Sequence, residues 1–146
     1  KVMKPKFIIA YMNVAEEFAK LSSARRLHVG CVIVKNDSII GVGYNGTPKG
    51  WDNNCENVIQ YSDDTTSLKT KPEVLHAESN AIAKLARSVE SGLDSDLFVT
   101  HSPCLDCAKL IYQSGIKRVY FGSAYRDSSG VDFLQKSGVT VEQLDV

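Results

Sequence analysis

The stretch DLFVTHSPCLDCAKLIYQSGIKRVYF, residues 96–121, decides the fold class. Its opening, Asp96 to His101, is a short run of apolar and β-branched side chains, the pattern of a strand. Pro103 then supplies the fixed φ favoured in the first turn of a helix. That helix is expected to run to about Ser114, where Gly115 ends it. Residues 117–121 read as a second strand. A strand, a helix and a strand in so short a span is the alternation of an α/β domain.

Working outward, a helix is expected from about His76 to Val89. Residues 30–35 form a continuous apolar run, Asn36-Asp37 offers a turn, and Ser38 to Tyr44 resumes β character. This is a hairpin whose first strand should be central in the sheet. Before it, Phe7, Tyr11, Val14, Phe18 and Leu21 recur at helical steps, so residues 6 to about 23 are expected to form an amphipathic helix with that stripe packed on the sheet. Downstream, residues 129–137 read as a short helix and 139–144 as a last strand. The order predicts an α/β fold, a three-layer α/β/α domain with a mixed five-stranded sheet, covering residues 1–146 as a single unit. Gly46 to about Glu73 has a different texture, dominated by Gly, Pro, Asn, Asp, Ser and Thr, with Trp51 and Cys55 as exceptions. So long a stretch without regular structure is usually functional or partly mobile.

Composition narrows the function classes. The 146 residues are 43% hydrophobic and 23% charged, ordinary for a globular domain. Seventeen Lys plus Arg balance seventeen Asp plus Glu, so the chain lacks the basic excess of a protein that grips a phosphate backbone non-specifically. Apolar runs such as Cys31 to Val34 are too short to span a bilayer. The basic Lys1 to Lys6 start is not followed by an apolar signal core, and a cytoplasmic location is expected. Two of the four cysteines stand as Cys104-Leu105-Asp106-Cys107, which in a cytosolic chain points to metal or redox use before a disulfide framework.

Two motifs carry chemistry: His76-Ala77-Glu78 and Pro103-Cys104-Leu105-Asp106-Cys107. Cys104 and Cys107 share one face at the start of a helix, where the helix dipole favours thiolates. His76 also opens a helix. Two such N-termini converging would place three ligands around a cation, and catalytic zinc needs three, because its fourth position must hold water. A closed structural site would need a fourth ligand from Cys31, Cys55, His28 or His101, none of which forms a second knuckle-like pair. Cys31 sits in an apolar strand and reads as a small buried residue. Glu78, two positions from His76, is poorly placed as a co-ligand but can reach a metal-activated water, whose pKa zinc lowers to about 7. Either motif alone is weaker: Cys-x-x-Cys is often redox-active or structural, and His-x-Glu often an exposed helix start. In this order they form the signature of zinc deaminases.

On these residues the chain resembles the cytidine deaminase superfamily over nearly its whole length. Gly43-Tyr44-Asn45-Gly46-Thr47-Pro48 and Cys55-Glu56 look like its deoxycytidylate branch. The resemblance implies a five-stranded sheet flanked by helices and the conversion of dCMP to dUMP and ammonia, which supplies thymidylate synthesis. It implies one catalytic Zn2+ per chain on His76, Cys104 and Cys107, with Glu78 as the catalytic proton shuttle. Hydroxide would attack C4 of cytosine while Glu78 protonates N3, and collapse would expel ammonia. Asn45 matches an asparagine that contacts the sugar, and the backbones of Ala77 and Ser102 would hold the pyrimidine edge. A plain turn is the structural alternative for Asn45-Gly46. Arg26, Tyr125 and Arg126 are the favoured phosphate-binding residues, with Lys49 and Arg118 as further candidates, since Arg suits bidentate phosphate contact. The family is commonly homohexameric, and many members are activated by dCTP and inhibited by dTTP. Gly43, Asn45, Gly46 and Lys49 are the candidate effector loop, with Mg2+ accompanying the nucleotide. Some members carry a second, structural zinc; here Ser22, Ser23, His28 and Cys55 do not make up such a set, and one zinc is expected. Trp51 could stack on a base or anchor its loop.

Three rivals follow. A free nucleoside deaminase would not need phosphate-binding arginines. A nucleic-acid editor needs a groove for flanking nucleotides and usually a basic surface. A non-catalytic zinc protein would have no use for Glu78.

Overall fold

The computed structural model describes residues 3–145. Lys1, Val2 and Val146, which belong to the domain expected over residues 1–146, lie outside the described residues. The order is α1 (Pro5–Ala19), β1 (Gly30–Lys35), β2 (Ser38–Tyr44), β3 (Glu56–Gln60), β4 (Thr66–Thr70), α2 (Ala77–Ala86), β5 (Asp96–His101), α3 (Leu105–Gln113), β6 (Arg118–Ser123), α4 (Ser129–Lys136) and β7 (Thr140–Gln143). The main sheet runs β2-β1-β5-β6-β7. The β1 strand is antiparallel to both β2 and β5, whereas β5, β6 and β7 are parallel. This is the mixed five-stranded sheet expected, with β1 inside it.

Strand alternation divides the core into two layers. Cys31, Ile33, Leu97, Val99, Val119 and Phe121 face one way, toward α2, α3 and α4. Val32, Val34, Phe98 and Tyr120 face the other way, toward α1. Phe98 stacks on Tyr120 with centroids 4.8 Å apart and meets Tyr11 at 5.5 Å. Burying a side chain of this size stabilises by about 1.5–3 kcal/mol. The β1–β2 turn has Asn36 and Asp37 at φ 50° and 61°, the left-handed pair that a tight hairpin demands.

Two expectations need correction. The helix α1 stops at Ala19; its fully buried residues are Met12, Ala15 and Ala19, with Tyr11 and Val14 of the expected stripe packed beside them, while Phe7 and Leu21 are exposed. Close approach explains the alanines: a Cβ at Gly30 would fall 1.9 Å from the Ala15 carbonyl oxygen and 2.7 Å from the Ala19 nitrogen, so β1 meets α1 there at small residues. The second concerns residues 46–73. Their centre is a separate antiparallel hairpin, β3–β4, paired from Glu56↔Thr70 to Gln60↔Thr66. Its side chains are mostly solvated, as at Val58, so no buried face wrote an alternation into the sequence.

Candidate active site

Two helix N-termini meet beyond the carboxyl end of β5, the edge where open α/β sheets place their ligands. His76 is the extended N-cap of α2 and Cys104 the extended N-cap of α3, and neither helix has a side-chain cap. Cys107 follows in the first turn of α3. The His76 Nδ1 atom lies 3.5 Å from Cys104 Sγ and 3.3 Å from Cys107 Sγ. Tetrahedral zinc with S and N ligands at about 2.3 and 2.0–2.1 Å would need an S···N edge of about 3.6 Å. The three donor atoms all lie within 4.8 Å of one another, and among the described residues theirs is the one such cluster. The triangle therefore fits the ion. Hydrogen bonds with Cys107 and His76 hold the Cys104 thiol down at about 4, while the bond to Cys104 and burial push Cys107 up. Both cysteines stand at the start of α3, where the positive end of the helix dipole favours the thiolates a cation would need.

Glu78, in the first turn of α2, is 4% exposed. Burial pushes its carboxyl up to about 7, against its own backbone N–H and the nearby His76, which favour ionisation. The Cys31 thiol is fully buried, and burial with the neighbouring Glu78 raises it well above the ordinary thiol range. It behaves as the small apolar residue expected.

Glu78, His76 and Cys104 open onto a cavity of about 690 Å³ whose wall also includes Arg26, Asn45, Glu56, Ala77, Tyr125 and Arg126. Asn45 is more than a turn residue: its Oδ1 accepts from the Val29 N–H at 2.9 Å and its Nδ2 donates to the Leu27 carbonyl at 2.8 Å. This amide fixes the chain entering β1. Ala77, the first residue of α2, donates its N–H to no protein acceptor among the described residues, as expected of a helix start. Ser102 does not line the cavity. Its N–H is bound to the Ser123 carbonyl, and its Oγ accepts from the Tyr125 N–H at 2.9 Å, so it holds the loop carrying Tyr125 and Arg126. Burial and the nearby Glu78 and Cys104 push the Tyr125 phenol up to about 12, leaving it a neutral donor.

Other candidates lie elsewhere. Gly43 is a packing position, because a Cβ there would fall 2.3 Å from the Ala77 carbonyl oxygen. Gly46 forms a bridge with Leu75, and neither it nor Lys49 lines the cavity. Arg118 opens β6 at the amino end of the parallel strands, opposite the site. Trp51 is 57% exposed, so it anchors no core. Glu56 enters the sequence pattern only through the family resemblance, and Thr70 belongs to no motif. Both line the cavity, and neither stood in a pattern that would have marked it.

The sequence profile described as the cytidine and deoxycytidylate deaminase zinc-binding region matches residues 5–123. The chain belongs to that family. It is 34% identical over 144 residues to the deoxycytidylate deaminase of Schizosaccharomyces pombe, covering 96% of this chain and 44% of that protein. It is 33% identical over 144 residues to the one of Saccharomyces cerevisiae, covering 97% of this chain and 46% of that protein. The chain thus spans less than half the length of both yeast relatives. A solved structure of the dCMP deaminase from the cyanophage S-TIM5, in complex with dCMP and dUMP, is 47% identical. It superposes with a TM-score of 0.87, covering 98% of this chain and 100% of that one. Among the described residues no helix is long and apolar enough to cross a membrane.

Proposed function

We propose that this chain hydrolytically deaminates dCMP to dUMP and ammonia. The observation that carries the reading is the buried Glu78 carboxyl beside the His76, Cys104 and Cys107 triangle, at a cavity with cationic residues in its wall. Zinc held by those three residues would supply a water acidified to near neutrality. The chain's own groups do the rest. Glu78 takes one proton of the attacking water and delivers it to N3 as oxygen bonds to C4. It then passes the second proton to the amino nitrogen, which leaves as ammonia, and C4 becomes the carbonyl of uracil. Buried beside the three ligands, the Glu78 carboxyl is placed for both directions of transfer. The Ala77 N–H is assigned to the pyrimidine edge and Asn45 to the sugar side, whereas Ser102, expected at that edge, supports the Tyr125 loop instead. Arg26, with Tyr125 and Arg126, is assigned to the 5′-phosphate.

The test is ultraviolet-monitored turnover of dCMP beside CMP, cytidine, deoxycytidine and dCTP, with zinc content determined, for wild type and Glu78→Gln. The expected result is preference for dCMP and a loss of about 10²–10⁴-fold in kcat for the variant, with zinc retained. Preference for deoxycytidine over dCMP overturns the substrate assignment.

Assembly and control extend the proposal by family resemblance: a homohexamer activated by dCTP and inhibited by dTTP, with Mg2+ accompanying the effector at Gly43, Asn45, Gly46 and Lys49. A monomeric mass by light scattering overturns the first. Hyperbolic dCMP kinetics unchanged by either nucleotide with magnesium overturn the second.

A further inference from the structure

Two adjacent arginines, Arg25 and Arg26, stand at the cavity and are treated differently by the β3–β4 hairpin. The buried Glu56, 1% exposed, accepts the backbone N–H groups of both through Oε2, at 2.9 and 3.0 Å. Its Oε1 faces the Arg25 Nε at 3.6 Å, and Arg25 Nη2 turns to Asn54 Oδ1 at 3.1 Å. The charge of Arg25 is thereby balanced. Arg26 makes no ion pair among the described residues; its Nη1 donates at 3.1 Å to the neutral hydroxyl of Thr70. Glu56 and Thr70 are opposite each other in the β3–β4 register, and directly opposed residues project from the same face. One end of the hairpin therefore holds Arg26 from two sides, backbone and guanidinium, and leaves the guanidinium without an ion pair among the described residues, in a cavity wall that Glu78 and Asp127 also line.

We propose that Glu56 and Thr70 are positioning residues that make the pocket selective for a nucleotide 5′-phosphate by presenting Arg26 to it. An arginine with a free rotamer loses side-chain entropy when it meets an anion, and one already oriented loses less. The Thr70 hydroxyl suits this role because it orients the guanidinium without neutralising it. A carboxylate at that position would compete with the phosphate. The inference rests on the dCMP reading, since it assumes a phosphorylated ligand beside Arg26.

Binding of the product pair tests it without turnover. Calorimetry on zinc-loaded protein gives the ratio of Kd for deoxyuridine to Kd for dUMP in wild type, Thr70→Val, Thr70→Ser and Glu56→Gln. Thr70→Val, which keeps shape and removes the acceptor, is expected to lower the ratio about tenfold, as for one hydrogen bond to a charged group. Thr70→Ser should restore it. Glu56→Gln is expected to lower the ratio as well, and a poorly folded Glu56 variant leaves the Thr70 pair to decide. A ratio unchanged in Thr70→Val, or lowered equally in Thr70→Val and Thr70→Ser, overturns the positioning role while dUMP binding stands. Wild type binding the two ligands equally, or neither, removes the phosphate reading itself, and both proposals fall.

Discussion

At the cavity Glu78 is 4% exposed, and burial pushes its carboxyl upward beside the metal triangle. Its partners are separable by experiment. Cys107→Ala leaves two protein ligands in a triangle that needs three, and zinc measured by atomic emission is expected to be lost on dialysis that wild type survives. Retention of a full equivalent would mean that the ion is held elsewhere. Glu56 offers a second test at this scale. Burial would raise its carboxyl, but the Arg26 and Arg25 N–H groups and the Arg25 guanidinium together hold it below the usual range. A carboxyl lowered by folding stabilises above its unfolded pKa and loses that contribution as pH falls through the folded value. The difference in thermal midpoint between wild type and Glu56→Gln should therefore be full at pH 7 and shrink below about pH 4, the ordinary carboxylate range. A difference independent of pH would show that shape, not charge, makes Glu56 matter.

At the scale of elements, α4 presses on the loop that carries the metal ligands. A Cβ at Gly130 would fall 2.0 Å from the Pro103 carbonyl oxygen and 2.8 Å from Cys104 backbone atoms. Gly130→Ala must displace that loop, and overpacking of this kind typically costs about 1–3 kcal/mol. Calorimetry should show a midpoint several degrees lower, and competition with a chelator should show weaker zinc retention than in wild type. A normal midpoint with normal zinc binding would mean that α4 yields instead. The α1 helix illustrates what pattern reading misses. Of the large residues at helical spacing, Tyr11 and Val14 pack on the sheet and Phe7 and Leu21 do not, while the close approach to Gly30 is made by Ala15 and Ala19. Alanine scores weakly as a hydrophobe and decisively as a surface for close approach. The β3–β4 hairpin was illegible for the opposite reason, since it is held by backbone pairing with little burial.

For the molecule as a whole, zero net charge and a cavity of about 690 Å³ agree with a small nucleotide rather than a strand. Fluorescence anisotropy with a labelled single-stranded oligonucleotide at physiological salt should show no saturable binding. Submicromolar binding that weakens steeply with salt would favour an editing enzyme. The sequence by itself determined the order of the helices and of the five main-sheet strands, the inner place of β1, and the residues that form the metal triangle. Those signals are local: a periodic run, a proline before a helix, two cysteines on one face. Only the tertiary structure decided that Asn45 ties Leu27 to Val29, that Ser102 holds the Tyr125 loop, and that Glu56 and Thr70 converge on Arg26. These are hydrogen bonds between polar groups far apart in the chain. Polar side chains follow no hydrophobic period, and their partners are chosen by the packing of layers that the local pattern does not encode.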